Sequence, residues 1–203
     1  NKLGLNTCFL DKKNPFELFK AWMTKAKKTE INDPNALALA TVNYKKQPSV
    51  RMVLLKGLTN AEFVFYTNLQ SRKSNELKSN PKASMCFHWK SIRRQVRIDG
   101  SIKKVPSKVA DQYFNTRPYG SRIGAWASIQ STPMESRLDL ISRIQKYKKK
   151  FPSNKKVPRP TYWSGWALKA NEIEFWLDGN NRIHERLRYK RSGSKWTKEI
   201  LYP

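Results

Sequence analysis

With 203 residues and a formal net charge of +26, the chain can bury the core of one domain and carries a surface suited to anions. No apolar run reaches the roughly 20 residues of a membrane helix, no secretory signal is visible, and Cys8 and Cys86 offer neither metal-ligand spacing nor a disulfide framework. A reducing, cytoplasmic setting is therefore expected, and the charge admits nucleic acid, an anionic lipid surface or phosphorylated small molecules as partners.

The chain starts at Asn1 rather than methionine, and residues 1–13 read as the remnant of a longer N-terminal segment. Asn14-Pro15-Phe16-Glu17 opens a helix with an Asn cap, a proline in the first turn and an acid three residues after the cap. Phe16, Phe19, Ala21, Trp22 and Met23 supply its apolar stripe, and Lys27-Lys28 close it. Strands are expected over 36–43, 49–57 and 62–67, punctuated by Lys45-Lys46-Gln47-Pro48 and by Thr59-Asn60. A short helix over 71–79, capped by Ser71, precedes strands over 82–89 and 93–105. Ser107 caps a further helix that Pro118 ends, and helical pieces follow over 121–128 and from Pro133 to Phe151. The proline- and lysine-rich 152–160 is a surface connection, and strands over 163–170, 172–177, 182–190 and 195–202 complete the chain. The expected fold is α+β: one domain over 1–203, a mostly antiparallel sheet closed as a barrel with peripheral helices.

Several segments carry chemistry. Arg51 and Lys56 bracket an apolar stretch with opposite parity, so they are not expected to face one site the same way, and by itself the segment reads better as a core strand with charged ends. Tyr66-Thr67-Asn68-Leu69-Gln70-Ser71-Arg72-Lys73 places two cations in the first turn of a helix. The helix dipole disfavours that, and a bound anion would compensate it; a tolerated surface imbalance is the plain alternative. Tyr113 and Arg117, four apart, with Ser121 beyond the Pro118-Tyr119-Gly120 break, can bind a phosphate or simply end an amphipathic helix. Near the C-terminus, Ile173-Glu174-Phe175-Trp176 and Arg182-Ile183-His184-Glu185-Arg186 read as two strands around Asp178-Gly179-Asn180-Asn181. Alternation would put Arg182, His184 and Arg186 in one row, about 6–7 Å apart. Flanking cations would then favour a neutral imidazole suited to handling a proton of an anionic substrate. A solvated cationic strand face is the other reading. His88, in Phe87-His88-Trp89, reads as structural, and the lysines of 146–150 and 155–156 read as solvated surface.

Taken together, Arg51-Met52-Val53-Leu54-Leu55-Lys56, Phe65-Tyr66-Thr67-Asn68 with Ser71-Arg72-Lys73, Arg94-Gln95-Val96, Tyr113-Phe114 through Arg117-Pro118, Ile123 through Ser128 with Gln130-Ser131, and Ile173 through Trp176 with Arg182-Ile183-His184 resemble the pyridoxamine 5′-phosphate oxidase family, in the family's order and over nearly the whole chain. The resemblance implies an FMN-binding split β-barrel that works as a homodimer with FMN at the subunit interface. It implies oxidation of pyridoxamine or pyridoxine 5′-phosphate to pyridoxal 5′-phosphate by molecular oxygen, releasing hydrogen peroxide, and ammonia from the amine. From composition, no membrane partner is expected, and nucleic acid at most as weak nonspecific polyanion contact through the lysine-rich 146–156 region. By the same resemblance, Arg51, Met52, Val53, Leu54, Leu55, Lys56, Tyr66, Thr67, Arg72, Lys73, Gln95, Gln130, Ser131, Trp176 and Arg186 hold FMN. Lys56, Tyr113, Arg117 and Ser121 hold the substrate phosphate, and Arg182, Ile183 and His184 meet the substrate, with Arg182 and His184 catalytic. Ile183 and Glu185 replace the family's usual Leu and Asp, and Trp163-Ser164-Gly165 stands where Trp-Gly-Gly is common, so a different turn is expected there. The family's segment that folds over the substrate would lie before Asn1. A phenazine-type oxidase of the same barrel, or a basic nucleic-acid-binding domain, are the alternatives.

Overall fold

The first helix forms where the caps demand it: in the computed structural model, which describes residues 2–59 and 61–203, α1 spans Pro15–Thr29. The Asn14 side chain accepts a hydrogen bond from the Phe16 N–H at 3.0 Å. Its apolar stripe carries Leu18, Phe19, Trp22 and Ala26 into the core. Phe19 meets Phe63 edge-on at 5.0 Å and Phe87 at 5.2 Å, while Trp22 meets Phe175 at 5.2 Å.

Those partners come from different strands because the sheet curls round α1. The strands are β1 (Ala36–Val42), β2 (Pro48–Leu54), β3 (Gly57–Thr59), β4 (Glu62–Asn68), β5 (Lys82–Trp89), β6 (Arg94–Lys104), β7 (Trp163–Leu177), β8 (Glu185–Ser192) and β9 (Lys195–Leu201). All pair antiparallel in the order β2-β1-β5-β6-β7-β4-β3, with β8 and β9 continuing from the C-terminal half of β7. Neither β2 nor β3 pairs with the other, so the barrel stays split rather than closed. Four further helices, α2 (Arg72–Ser79), α3 (Ser107–Thr116), α4 (Tyr119–Ala127) and α5 (Arg137–Lys150), fill the connections. Truncating Phe19 to alanine should cost about 3–5 kcal/mol, the usual loss for a buried aromatic, as a urea titration would measure.

Several expectations shift here. The strands expected over 163–170 and 172–177 are one, β7, whose register with β6 slips between Asp99 and Gly100. Gly100 permits the slip, since a Cβ there would lie 2.1 Å from the Lys169 carbonyl oxygen. Trp163-Ser164-Gly165 is therefore strand, not a turn. The Ser164 hydroxyl is fully buried and has no hydrogen-bond partner among the described residues. Such a group costs about 1–3 kcal/mol, so Ser164→Ala should hold or raise the melting temperature; a clear fall would contradict this. Pro106, not Ser107, is the N-cap of α3. Ser71 stands at the N-cap of α2 without capping it, because its hydroxyl donates back to the Asn68 carbonyl at 2.7 Å. The helix expected from Pro133 starts at Arg137, where Ser136 and Asp139 form a capping box. The strand expected over 182–190 begins only at Glu185, since Asn181 and Arg182 have φ of 54° and 64° and form a short 3₁₀ turn, Asn180–Arg182. The expected turn residue Asn60 lies outside the described residues.

Candidate active site

β2, β4, α2 and the α3–α4 corner converge on a cavity of about 850 Å³, within the ~300–1,000 Å³ range of small-molecule sites. From β2 and its tail come Arg51, Met52, Val53, Leu54 and Lys56; from β4 and α2, Tyr66, Thr67 and Lys73; from α3, α4 and the turns that follow them, Tyr113, Arg117, Ser121 and Gln130. Arg51 and Lys56 reach the same space despite their opposite parity, because β2 ends at Leu54 and Lys56 lies beyond the strand. Leu55 points instead into the main core. The cavity wall carries Arg51, Lys56, Lys73 and Arg117 and, among the described residues, no carboxylate.

The cations are held in two ways. Behind the wall, the Glu76 carboxylate, 5% exposed, accepts from Thr41 Oγ1 at 2.5 Å, Ser49 Oγ at 2.7 Å, Arg72 Nε at 2.9 Å and Arg51 Nη2 at 3.2 Å. Burial alone would raise its pKa, but the hydrogen bonds from Thr41, Ser49 and Arg72 and the Arg51 charge win and hold it at about 2. Glu76 thus answers the dipole mismatch of Arg72 in the first turn of α2. Sequence reasoning missed it, although Arg72 and Glu76 stand at i,i+4. Arg72 and Ser131 line an adjoining cavity of about 560 Å³ with Glu76.

Among the described residues the hydrogen-bond partners of Lys73 are all neutral: Thr67 Oγ1 at 3.2 Å, Ser71 Oγ at 3.3 Å and Gln130 Oε1 at 3.4 Å. Burial, with the Arg51 charge adding to it, pushes its pKa down to about 8. Arg117, at the C-cap of α3, lies over the Trp163 ring at 4.6 Å, and its buried Nη1 has no hydrogen-bond partner among the described residues. Tyr66, Tyr113 and Trp163 form a cluster of near-parallel rings, with Tyr66 4.0 Å from Tyr113 and 5.3 Å from Trp163 and those two 6.2 Å apart. Burial raises both tyrosine pKa values, so the phenols remain donors. Gly165 admits the Tyr66 ring, to which a Cβ would approach within 2.8 Å. Trp163, Asn68 and the small Gly124-Ala125 pair of α4 also line the cavity without having been singled out as site residues.

Gln95, Trp176, Arg182, Ile183, His184 and Arg186 do not line this cavity. They gather at the other end of β7: Gln95 pairs with Trp176, Trp176 pairs with Arg186, and the His184 ring lies 4.6 Å from the Trp176 ring. Trp163 and Trp176 are thirteen residues apart on one strand, roughly 40 Å of extended chain at about 3.3 Å per residue. The expected row of Arg182, His184 and Arg186 is broken by the 3₁₀ turn, and Arg186 is engaged by Glu174 at 2.9 Å and the Tyr202 carbonyl at 3.0 Å. His184 Nδ1 lies 3.3 Å from Asp178 Oδ1, so a carboxylate, not only cations, faces it. His88 is exposed on β5. Among the described residues no cluster of ligands fits a metal, and no helix is long and apolar enough to cross a membrane.

Residues 23–151 match the family model for pyridoxamine 5′-phosphate oxidase, and residues 163–203 match that for the pyridoxine 5′-phosphate oxidase C-terminal dimerisation region. A pyridoxine/pyridoxamine 5′-phosphate oxidase of Pelagibacter ubique is 61% identical, covering 100% of this chain and 98% of the relative. One of Allorhizobium ampelinum is 51% identical over 96% of this chain and 95% of the relative. Among solved structures, PhzG of Burkholderia lata, in complex with tetrahydrophenazine-1-carboxylic acid, superposes with a TM-score of 0.90 at 27% identity, each chain covered in full.

Proposed function

This chain belongs to the pyridoxamine 5′-phosphate oxidase family, and on that premise we propose that it is an FMN-dependent oxidase of pyridoxamine and pyridoxine 5′-phosphates, acting as a homodimer. The observation that carries the reading is the cavity wall: among the described residues it has four cations, no carboxylate and a buried guanidinium nitrogen without a hydrogen-bond partner, which suits ligands bearing phosphate. FMN fits the donor set on β2 and α2: Arg51, Lys73 and Arg72 are fixed there, with Thr67, Gln130 and Ser131 beside them. The second group, Lys56, Tyr113, Arg117 and Ser121, suits the phosphate of the substrate. When bound, FMN supplies the two-electron acceptor for oxidation of the carbon bearing the amine or alcohol, with molecular oxygen as the final acceptor.

This chain's residues then bind and orient. Phosphate anchoring at Arg117 and Tyr113 fixes one end of the substrate, so its reactive carbon is held at one distance and angle. The stack of Tyr113, Tyr66 and Trp163 stiffens that anchor and excludes water from it. Trp176, Gln95, Arg186, Arg182, Ile183 and His184 are too far along β7 to serve the same protomer's cavity. The reading therefore takes them from a second copy across a two-fold axis, completing FMN and substrate contacts at the interface, and the match to a dimerisation region over 163–203 supports this. Relatedness favours the vitamin B6 substrates over phenazine precursors, at 61% against 27% identity.

Anaerobic addition of pyridoxamine 5′-phosphate to the purified flavoprotein should bleach its visible spectrum, and air should restore it. A flavin spectrum that persists would remove this substrate class. Cofactor affinity should also depend on pH through Lys73. A bound phosphate favours the charged amine, so binding takes up a proton once the pH exceeds about 8. FMN affinity should be flat below that pH and fall above it, as flavin fluorescence would register. A Lys73→Met variant should bind more weakly and lose the pH dependence.

A further inference from the structure

His184 sits in a turn that leaves its ring little choice. Gly179 is forced upon the turn by close approach, because a Cβ there would lie 1.9 Å from the Ile183 carbonyl oxygen and 3.4 Å from the His184 Cα. That approach brings the Gly179 N–H against the imidazole, to which it donates at Nδ1 over 3.2 Å. The 3₁₀ turn holds the strap from both sides: Ile183 N donates to the Asn180 carbonyl and His184 N to the Arg182 carbonyl, each at 3.0 Å. The Trp176 ring at 4.6 Å bounds the imidazole, whose side chain is 14% exposed. Asp178 Oδ1 also lies 3.3 Å from Nδ1, but of the two neighbours only the Gly179 N–H is aligned with that nitrogen as a hydrogen bond. Asp178 is itself tied to Arg93, through Oδ2 at 3.8 Å and through its own N–H to the Arg93 carbonyl at 3.0 Å.

We propose that the Asp178-Gly179 turn locks the neutral His184 ring as the Nε2–H tautomer, so that His184 meets the substrate as a hydrogen-bond donor and not as a proton-accepting base. A nitrogen that accepts from a backbone N–H carries no proton of its own, so in the neutral ring the proton must reside on the other nitrogen. If the ring is protonated, both nitrogens carry protons. Nε2 therefore presents N–H in either charge state. Its partner would be an electron-rich oxygen or nitrogen of the pyridine ligand, whose developing charge a fixed donor stabilises. Gly179 is then a positioning residue, acting through the ring it orients. The donor role rests on the proposed function above; the tautomer does not.

The tautomer can be read directly. The chain has two histidines, so the holoenzyme labelled with ¹⁵N-histidine gives two imidazole spin systems, and His184→Gln identifies which is which. A protonated Nε2 with an unprotonated Nδ1 in the neutral ring is the expected result. A protonated Nδ1, donating to Asp178, would overturn the proposal. Asp178→Asn should leave the Nε2–H form in place, whereas a change of tautomer would make Asp178 the controlling partner.

Turnover tests the donor role separately. Glutamine can place an amide N–H near the position of Nε2, whereas asparagine reaches only the position of Nδ1. With FMN loading as the folding control, His184→Gln should retain turnover within about tenfold of wild type, and His184→Asn should lose about 100-fold or more, the scale of one lost transition-state donor. Equal large losses would mean that proton abstraction matters and would overturn the donor role. Near-wild-type turnover in both would remove His184 from the substrate, overturning that role and the assignment of this residue to the site, while the tautomer would still stand or fall on the spectrum.

Discussion

Replacing Glu76 by alanine should remove about 3–5 kcal/mol of folding stability, the loss expected when one partner of a buried ion pair is deleted and the other stays. Arg51, only 20% exposed, would lose its carboxylate and Arg72 its i,i+4 partner, while Thr41 and Ser49 would lose their acceptor. The acid limb of the stability curve gives an independent check. Glu76 is held at about 2 in the folded protein against 4.5 as its ordinary value. A carboxylate depressed on folding stabilises above its unfolded pKa and ceases to do so as pH falls through the folded one. Its contribution, about 3 kcal/mol at about 1.4 kcal/mol per pKa unit, should therefore be complete above pH ~4.5 and disappear towards pH ~2. Urea midpoints of wild type and Glu76→Ala should converge as the solution is acidified through that window. Curves that stay parallel would show that the clasp contributes through shape and not charge.

Arg117→Met should separate function from stability in opposite directions. This guanidinium is desolvated: burial pulls its pKa down, and its buried Nη1 has no hydrogen-bond partner among the described residues. Such a group is a cost of folding, and a methionine of similar length on the Trp163 face would relieve part of it. The apo variant should melt no lower than wild type. Its kcat/KM for pyridoxamine 5′-phosphate should fall by about 3 kcal/mol, roughly 150-fold, as for truncating one member of a buried charge pair. FMN binding should persist. A variant that also lost its flavin would place Arg117 in the cofactor's contacts, and one that lost stability without losing activity would make it a packing residue.

How much of this was legible in the chain depended on what each residue answers to. Helix α1 and strands β1, β2, β4, β5 and β6 were readable because caps, prolines and alternation are local signals, and Asn14, Pro15 and the Ala36–Val42 alternation act where they stand, whereas the three-residue β3 fell where a strand end and a turn were expected. Lys73, Tyr113 and Arg117 were readable as anion-directed because each is a cation or hydroxyl beside a helix end, whereas Arg51, within β2, read by itself as the charged end of a core strand. Glu76 was not, since its partners Thr41 and Ser49 lie on another hairpin and only the β1–β2 register brings them to it. The row of Arg182, His184 and Arg186 failed for a local reason: two left-handed residues, Asn181 and Arg182, turn the chain before the strand begins. Nor could alternation reveal that Gln95 and Trp176 stand far from Lys73, because distance along β7 becomes visible only once the ladder of β4, β6 and β7 is known.

That long ladder has a genetic consequence. If each reaction centre draws its cavity from one polypeptide and its Trp176–His184 corner from the other, two dead alleles can rescue each other. A protomer lacking Lys73 and Arg117 still lends an intact corner, and one lacking His184 still lends an intact cavity. Unfolded and reassociated at equal amounts, two such inactive proteins would yield half mixed dimers, each with one whole centre and one doubly damaged, so activity would return to roughly one quarter of wild type. Coexpressed alleles would complement within a single gene, and a strain carrying both would grow without pyridoxal where neither alone suffices.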